Sequence, residues 1–386
     1  MNPGLMVKLR PDGPWRSGPD SGARNRVDPI YHSDSLYAAV TAAMSTLGTR
    51  DAWLDATARR AEGPAVLFSS CFPFQGETLF VVPPRGIWPP AVGVTAARTR
   101  WKSARFVPLP VIAKLTNGEP VSDGEWTVDS ECLLPAGQPG PFRTSMRWSA
   151  AIDRLTGSAE RHSTACIEFR RDAGLWAIVS FADEAAQERW SEPVRGALRL
   201  LADSGFGGER SRGWGRSAQP EFIAGTLPQI ILPERKKPEP VAAEAPVVEG
   251  EALAVESHEA ALAELHETAP VELHEAAPVV APVEAATVQP TATSHWLLSL
   301  FTPAADDAVD WKRGNYTVIA RGGRIESPAG FGERKKQLQM VAEGSVLVAG
   351  DALRGAAPDV APDGFAHPVF RAGFALAIPL PAEVTA

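Results

Sequence analysis

The stretch GFGGERSRGWGR, residues 205–216, lies between a predicted helix and the last strand predicted for the N-terminal part of the chain. Five of its residues are glycine and three are arginine. Glycine lets the backbone approach closely enough for its amide groups to reach phosphate oxygens, and arginine pairs bidentately with phosphate. The stretch therefore predicts a loop that holds an anionic chain. The alternative interpretation is a turn whose glycines serve tight geometry alone.

The position of this loop excludes two common phosphate-binding motifs. A dinucleotide fingerprint needs its glycines between a strand and the following helix, and a P-loop needs a lysine after its last glycine. Here the loop follows a helix and holds no lysine. We therefore expect it to contact a phosphodiester chain, with Trp214 stacking a base. The other residues predicted to bind RNA here are Gly207, Gly208, Arg210, Ser211, Arg212, Gly213 and Gly215.

The net charge of −8 does not exclude a nucleic-acid ligand, because the acidic residues are unevenly distributed. Residues 234–294 hold twelve Glu and three basic residues, which leaves 34 acidic and 35 basic residues in the rest. Arginine outnumbers lysine by 30 to 8. That excess suits bidentate phosphate contacts, although a GC-rich genome explains it equally well.

Residues 233–294 form an acidic, low-complexity segment of Ala, Pro, Glu and Val, in which ELHETAPV is followed directly by ELHEAAPV. Such a composition cannot bury a core, so we expect a disordered linker. A metal site at its repeated His-Glu pairs is the weaker alternative. The linker separates an N-terminal domain, residues 1–232, from a C-terminal domain, residues 295–386.

The pattern of the N-terminal domain predicts an α+β fold. Its order is a strand, a helix, two strands (65–74 and 78–83), an insertion at about 85–150, a strand (175–181), a helix (191–204) and a strand near 218–225, which approximates a ferredoxin-like sheet. The helix at 191–204 is expected to bury Val194, Ala197, Leu198 and Leu201. HSDSLYAAVTAAMSTLG predicts the first helix, capped by Ser33, with Leu36, Val40, Met44 and Leu47 on its apolar face. The C-terminal domain has further strand patterns, and a second sheet of related type fits them.

Basic residues outside the glycine-rich loop are also candidates for RNA contact. They are Arg143, Arg147 and Arg154 in one stretch and Lys335 and Lys336 in the C-terminal domain. Each cluster alone is equally compatible with a solvated surface. Together they favour an extended anionic ligand whose binding depends on salt.

His32 precedes the first helix, and its position allows either phosphate binding or acid–base catalysis of RNA cleavage. No second histidine or carboxylate accompanies it in a recognisable motif. There is no HExxH, GxSxG, HD or DxD pattern. We therefore expect no catalytic residue, no metal and no cofactor.

Localisation is inferred from cysteine usage and hydropathy. The three cysteines are widely spaced and odd in number, which argues against a disulfide framework and a thiolate zinc site. No apolar run has the length of a membrane span, and the N-terminus lacks the pattern of a secretory signal. We expect a cytoplasmic protein without a membrane partner.

Six stretches in this order resemble one family, the RAMP-superfamily subunit of type III-A (Csm) CRISPR effector complexes that holds the 5′ handle of the crRNA. The stretches are YHSDSLYAAV (31–40), LFSSCFPFQGETLFVVP (67–83), AAIDRLTGSAE (150–160), GFGGERSRGWGR (205–216), KKQLQMVAEGSVL (335–347) and HPVFRAGFALAIPL (367–380). The glycine-rich loop alone occurs throughout the superfamily. The register of all six makes the similarity specific.

The resemblance implies two ferredoxin-like, RRM-like domains that bind the crRNA 5′ handle. It also implies contacts with the large polymerase/cyclase subunit and with a neighbouring backbone RAMP subunit. Arg210 and Arg212 are expected to cradle handle phosphates, with His32 and Ser33 near the same RNA. Arg154 is expected in an ordered loop at the RNA surface, and Lys335 and Lys336 as the contribution of the C-terminal domain. A thumb hairpin is expected somewhere in 85–150.

Three functions follow from these observations. The first is a non-catalytic RNA-binding subunit, since members of this family are not thought to cut RNA themselves. The second is a metal-independent endoribonuclease that processes repeat RNA with His32 as acid or base. The third is an assembly adaptor that contacts only proteins.

Overall fold

A computed structural model describes residues 2–18, 23–90, 101–232, 292–327 and 330–381. The predicted linker, 233–294, lies outside the described residues except for its last three positions. Residues 1–234 and 291–386 form one compact unit. Among the described helices, none has both the length and the hydrophobicity that crossing a membrane requires.

In its described residues, the N-terminal part contains one large sheet, four α-helices and two separate hairpins. Its elements in chain order are β1 (Asn2–Leu9), α1 (Ser33–Thr46), α2 (Arg50–Ala56), β2 (Val66–Phe68), β3 (Phe72–Gln75), β4 (Thr78–Val81), β5 (Val107–Pro108), α3 (Leu109–Thr116), β6 (Trp126–Asp129), β7 (Cys132–Pro135), β8 (Phe142–Ile152), β9 (Ala159–Phe169), β10 (Ala173–Phe181), α4 (Glu184–Ser204) and β11 (Glu221–Leu227). The sheet runs β11-β1-β10-β3-β4-β5, and β2 also pairs with β10.

β10 is the central strand of this sheet, and all nine of its residues are buried. It pairs antiparallel with β1 on one side and with β2 and β3 on the other. A strand covered on both faces needs apolar residues at every position, which explains the continuous run LWAIVSF. The predicted strand at 175–181 is therefore confirmed and begins two residues earlier.

The two longest helices bury the faces that the sequence predicts. Val40 and Met44 of α1 are fully buried, as is Val194 of α4. α4 begins at Glu184, seven residues before the predicted start, because Asp183 caps it by accepting a hydrogen bond from the Ala186 amide at 2.7 Å. The prediction was wrong for Leu47, which lies beyond the end of α1 and is 47% exposed.

The single strand predicted at 65–74 is divided into β2 and β3. Phe68 pairs with Val179 and Phe72 with Trp176, so this side of the ladder carries one extra residue. The Ser69 hydroxyl accepts a hydrogen bond from the Ile178 amide at 2.8 Å at this point. The side chain thus satisfies a backbone donor at an irregularity that residue periodicity does not predict.

A long antiparallel hairpin projects from the insertion. β8 and β9 pair from Phe142–Phe169 to Ile152–Ala159, and residues 153–158 form the tip. The outer half is solvent-exposed. The thumb hairpin is predicted somewhere within 85–150, and of this hairpin only β8 up to residue 150 lies in that range.

The C-terminal part is built from strands alone in its described residues, 292–327 and 330–381. The strands are β12 (Thr293–Leu297), β13 (Val309–Asn315), β14 (Val318–Arg321), β15 (Arg324–Ser327), β16 (Gly330–Arg334), β17 (Leu338–Val341), β18 (Val346–Ala349), β19 (Gly355–Ala356), β20 (Gly373–Phe374) and β21 (Ala377–Leu380). Four of them form an antiparallel sheet in the order β13-β18-β12-β21.

The N- and C-terminal parts share a hydrophobic core. Trp296 is fully buried and donates its indole hydrogen bond to the Val82 carbonyl at 3.1 Å. The rings of Tyr37 and Phe374 meet edge to face at 5.8 Å. The two predicted domains are therefore packed against each other through buried side chains.

Candidate nucleic-acid interface

The glycine-rich loop follows α4 directly, with Gly205 at φ +79° ending the helix. A short 3₁₀ turn, Arg210–Arg212, forms the outer part of the loop. Glu209 before it and Gly213 after it both have left-handed backbone conformations. The turn holds its two arginines on the exposed side of the loop.

Three of the glycines are explained by contacts within the protein. A Cβ atom would lie 2.5 Å from the Trp214 carbonyl oxygen at Gly205, 2.5 Å from that of Arg16 at Gly207, and 2.1 Å from that of Phe206 at Gly215. A real Cβ does not approach a backbone atom so closely. The tight-geometry interpretation therefore accounts for these positions.

The expected role of the glycine amides needs a correction. The amides of Gly208, Gly213 and Gly215 donate to the carbonyls of Arg16, Arg210 and Pro14 at 2.8, 2.9 and 3.0 Å. They are committed to protein acceptors in this conformation and do not point to an external phosphate. Trp214 is also only 9% exposed, so its ring does not offer a stacking platform.

The outer surface of the loop keeps the features expected of an anion site. Arg210, Ser211 and Arg212 are exposed. An open depression is lined by Gly207, Glu209, Arg210 and Ser211. Arg212 pairs with Glu209 at 3.0 Å, which orients its guanidinium at the rim. The exposed guanidinium groups, rather than the amides of Gly208, Gly213 and Gly215, are therefore available to phosphates.

We predict that alanine at Gly215 destabilises the protein more than alanine at Gly213. Both glycines have φ near +78°, but a Cβ at Gly213 meets nothing within 4 Å. Gly213→Ala is expected to cost about 1 kcal/mol from backbone conformation alone. Gly215→Ala adds a clash with the Phe206 carbonyl and is expected to cost about 2–3 kcal/mol. Urea denaturation of the two variants tests this, and equal losses would contradict the packing explanation.

Arg16 supports the loop from below, and sequence analysis did not identify it. It is 8% exposed, and its guanidinium donates to the carbonyls of Ala165 at 2.7 Å, Ala23 at 3.0 Å and Arg24 at 3.1 Å. Its own carbonyl accepts the Gly208 amide. Nothing local distinguishes it from other arginines, because its Ala165 acceptor and the Gly208 amide that its carbonyl accepts both lie far away in sequence.

Segment 11–16 connects the loop to the base of the long hairpin. The Asp12 amide donates to the Arg216 carbonyl at 3.1 Å, and Trp15 exchanges backbone hydrogen bonds with Ile167 of β9. A cavity of about 400 Å³ lies between this segment and the hairpin. Its lining residues are Pro11, Asp12, Gly13, Pro14, Phe142, Arg143, Arg147, Glu168, Phe169 and Arg170.

Two of the predicted arginines, Arg143 and Arg147, lie at this cavity. Both pair with Glu168, Arg143 through Nη2 at 2.8 Å. Burial by itself would raise the pKa of Glu168, but the Arg143 hydrogen bond and the nearby arginine charges lower it. The carboxylate stays ionised and holds the two guanidinium groups side by side. The arginines themselves remain 79% and 54% exposed.

The hairpin tip, which carries Arg154, is an ordered turn. Asp153 accepts hydrogen bonds from the Leu155 amide at 2.9 Å and from the Thr156 hydroxyl at 2.8 Å. These bonds lower the pKa of Asp153. Leu155 is 96% exposed and Ile152 is 68% exposed. The tip thus presents apolar side chains to solvent on a structured support.

The structure places His32 and Ser33 in the interior. His32 is 4% exposed, and its Nδ1 lies 2.8 Å from Glu343 and its Nε2 3.2 Å from Asp28. The Ser33 hydroxyl accepts the Leu300 amide at 2.9 Å instead of capping α1. Both side chains therefore connect the N- and C-terminal parts and have no surface for RNA. This corrects their expected role as RNA-contacting side chains.

The charge of His32 follows from its surroundings. Burial by itself lowers the pKa of an imidazolium, but the Glu343 charge and the hydrogen bonds that His32 donates to Asp28 and Glu343 outweigh it and raise the pKa of His32 to about 9. In the same way, His32 lowers the pKa of Glu343 against the effect of burial. His32 is thus a doubly hydrogen-bonded cation at neutral pH.

A second buried ion cluster joins the two parts beside His32. Asp34 accepts hydrogen bonds from Arg321 at 2.9 and 3.1 Å and pairs with Arg371. Burial alone would raise the pKa of Asp34, but the two arginines hold it well below its usual range. Sequence analysis missed these residues, because Arg321 and Arg371 are separated from Asp34 by 287 and 337 positions and no local pattern relates them.

Lys335 and Lys336 lie between β16 and β17 in the C-terminal part. Lys336 pairs with Asp363 at 2.7 Å, and this contact raises the pKa of Lys336. Its amide donates to the Val360 carbonyl, and the Lys335 amide to that of Gly323. These contacts stay within the C-terminal part. Within the described residues, no group of three or more His, Cys, Asp or Glu is arranged to hold a metal ion.

Sequence comparisons place the chain among known proteins. Residues 291–380 match the family model of the CRISPR Csm4 C-terminal domain. A curated relative, the CRISPR system Cms protein Csm4 of Thermococcus onnurineus (strain NA1), is 24% identical over 215 residues, which are 55% of this chain. The match covers 65% of that relative, slightly less than two thirds of its length.

Solved structures share the fold. The Csm3–Csm4 subcomplex of the type III-A CRISPR-Cas interference complex contains a chain that is 13% identical, with a TM-score of 0.56 over 98% of this chain and 99% of that one. A Csm1–Csm4 cassette in complex with cA4 gives 15% identity and a TM-score of 0.51 over 98% of both chains. At these identities the likeness establishes a mixed α/β architecture with antiparallel sheets and few helices.

Proposed function

Because this chain is a RAMP-superfamily subunit of the Csm4 type, we propose that it is a non-catalytic RNA-binding subunit of a type III-A CRISPR effector complex. It holds the 5′ handle of the crRNA, docks the large polymerase/cyclase subunit and contacts a neighbouring backbone RAMP subunit. The observation that carries the RNA-binding proposal is the surface formed by the glycine-rich loop, segment 11–16 and the base of the β8–β9 hairpin.

This surface places exposed arginines along a connected path. Arg210 and Arg212 lie at its loop end, and Arg143 and Arg147 line the cavity at its hairpin end. Exposed guanidinium groups bind phosphates bidentately and do so without regard to base identity. A single RNA strand that follows this path would be held through its sugar–phosphate backbone. Such contacts suit a crRNA handle that is always held at the same position.

The hairpin supplies contacts for bases. Trp148 is 67% exposed, and the Arg161 guanidinium lies 5.4 Å from its ring centroid. Aromatic rings and guanidinium planes both stack on splayed bases of single-stranded RNA. The apolar tip at Ile152 and Leu155 is suited to separate neighbouring bases, since apolar side chains of this kind act as wedges. The proposed role of the hairpin is therefore to bend the strand beside the handle.

We also propose that both halves are ferredoxin-like RAMP domains. In the N-terminal part, β1, β3, β10 and β11 act as the first to fourth strands, and the order β11-β1-β10-β3 is the fourth-first-third-second arrangement of that fold. In the C-terminal part, β12, β13, β18 and β21 repeat the same order. Loops and short hairpins replace the helices there within the described residues.

The proposal for the partner subunits comes from the complexes in which structures with this fold were solved. The solved structures with this fold contain a Csm1–Csm4 cassette and a Csm3–Csm4 subcomplex. We assign the large polymerase/cyclase subunit and the backbone RAMP subunit as partners by that similarity. The assignment is tested by co-purifying the large subunit and the backbone subunit in the presence and in the absence of this chain.

No observation favours the endoribonuclease alternative. A general acid or base must reach the reacting proton. Both ring nitrogens of His32 are instead hydrogen-bonded to carboxylates in the protein interior. The adaptor alternative is tested by ultraviolet crosslinking of the assembled complex. We expect crRNA crosslinks within 205–216 and 142–169, and a complex without crosslinks in either range would favour the adaptor.

Replacing Arg210 and Arg212 by alanine is expected to weaken binding of repeat-derived RNA about tenfold or more. The slope of log affinity against log salt should fall by about two, because each lost phosphate contact removes about one unit. Filter binding over a salt series measures both quantities. The matched control is Arg50→Ala on α2 with Arg59→Ala just after it, which removes the same charge. An equal loss of affinity in the control variant would show that the effect depends only on the net charge of the protein.

A further inference from the structure

β13 contains an unusual bulge at the edge of the C-terminal sheet. Asp310 pairs with Val348 and Asn315 with Val346, so the four residues 311–314 stand opposite Leu347 alone. β13 is the outermost strand in the order β13-β18-β12-β21. The bulge therefore lies at the free edge of the sheet. We call residues 311–316, WKRGNY, the edge bulge.

Two aromatic side chains of the edge bulge are exposed and in contact. Trp311 is 38% and Tyr316 is 39% exposed, and their rings meet at 5.2 Å and 71°. In an edge-to-face pair, the ring that contributes its edge has neither face covered by its partner. Gly314 permits the arrangement, since a Cβ there would lie 3.3 Å from Tyr316 Cδ1 and 3.4 Å from the Val346 carbonyl oxygen.

The edge bulge is also positively charged. Lys312 and Arg313 are exposed, and no salt bridge joins either of them to another of the residues that the structure describes. Asp310 accepts the Lys312 amide at 3.1 Å, Asp307 accepts the Arg354 and Gly355 amides, and Asp306 pairs with Arg354. Within the described residues, the two cations that flank the aromatic pair thus have no ion-pair partner.

We propose that the edge bulge is a second RNA-binding subsite, which stacks a base of single-stranded RNA on Trp311 and Tyr316 and contacts its phosphates through Lys312 and Arg313. Aromatic platforms with adjacent cations bind single strands because every base offers a π-face and every nucleotide a charge. Together with the neighbouring Val318, which is 48% exposed, the edge bulge presents three large apolar side chains to solvent. Three side chains form a small apolar surface compared with a protein interface, which buries about 800 Å² per partner. The subsite rests on the proposed function only in taking RNA as its ligand.

The test uses the full chain and two labelled single-stranded RNA probes of about 12 nucleotides, within the site sizes of such proteins. One probe is polyuridine and the other has the same sugar–phosphate chain without bases. Trp311→Ala with Tyr316→Ala is expected to weaken polyuridine binding at least about fivefold and to leave the abasic probe unchanged. Lys312→Ala with Arg313→Ala should weaken both probes, and Val318→Ala neither.

The outcomes separate this subsite from the proposed function. If the aromatic double variant binds polyuridine as tightly as the wild type, the subsite is overturned. It is also overturned if that variant keeps its RNA affinity but no longer assembles with a partner subunit, since the bulge is then a protein interface. A parallel Arg210/Arg212 alanine variant shows whether the main surface binds RNA regardless. Trp311→Leu, which keeps an apolar side chain without a ring face, replaces the double variant if that one unfolds.

Discussion

Replacing Asp34 with Asn is expected to lower the free energy of unfolding by about 3–5 kcal/mol, the largest loss predicted for any single change in this protein. Asp34 is 4% exposed and is the shared partner of Arg321 and Arg371, which are both 6% exposed. Asparagine keeps the shape of the side chain but removes the negative charge. Two buried guanidinium groups then lose their counter-charge, and the desolvation cost of each is no longer offset.

Asp55→Asn is the matched control for this prediction. Asp55 also pairs with an arginine, Arg59 at 2.9 Å, but both side chains are substantially exposed. Exposed pairs of this kind contribute less than about 1 kcal/mol. Guanidinium denaturation of the two variants compares the same chemical change in two environments. A loss below about 1 kcal/mol for Asp34→Asn would mean that the buried cluster does not hold the two parts together.

The second large effect is a loss of stability at alkaline pH that depends on His32. The folded protein raises the pKa of His32 from its ordinary value of 6.5 to about 9. The folded state therefore binds this proton more tightly than the unfolded state. The resulting stability is fully present below pH 6.5 and is lost as the pH rises through about 9. The difference of pKa corresponds to about 3 kcal/mol.

His32→Gln removes the titrating group, so its free energy of unfolding is expected to stay nearly constant over the same pH range. Urea denaturation at a series of pH values measures both profiles. His162→Gln is the control, since His162 lies on the exposed hairpin and its removal should preserve the wild-type profile. Parallel profiles for the wild type and His32→Gln would exclude His32 as the source of the pH dependence.

These two ion clusters show that the segment His32–Asp34 helps to hold the N- and C-terminal parts together. His32 and Asp34 bind Glu343, Arg321 and Arg371, which all lie beyond the linker in sequence. The start of α1 is therefore one of the places, besides the shared hydrophobic core, at which the C-terminal part is attached. We expect variants there to impair the subunit through stability, whereas variants of Arg210 and Arg212 impair it through RNA binding.

Much of the fold was predictable because residue periodicity reports burial directly. The burial of Val40 and Met44 of α1, and of Val194 and Leu198 of α4, is confirmed. The continuous apolar run of β10 is confirmed for the same reason. The break between β2 and β3 was not predictable, since it depends on the Ser69 hydroxyl reaching an amide of a strand more than a hundred positions away.

The candidate site was predicted less completely. The composition of 205–216 identified an unusual loop, and its arginines are exposed as expected. The expected use of glycine amides was wrong, because Arg16 and Pro14 accept them. The expected use of His32 and Ser33 was wrong because both side chains are buried, where Glu343 and the Leu300 amide of the C-terminal part bind them. The RNA contacts of Arg143, Arg147, Arg154, Lys335 and Lys336 stay predictions.

The amino-acid sequence by itself determined which residues are buried in helices and strands, where the acidic segment divides the chain, and which family the chain resembles. Those properties depend on neighbours within a few residues or on short stretches read in order. Only the tertiary structure decided which polar groups pair. Three contacts join segments that lie far apart in sequence: Glu343 with His32, Asp34 with Arg321 and Arg371, and Arg16 with the glycine-rich loop. The partner of such a charged group is determined only when the chain has folded.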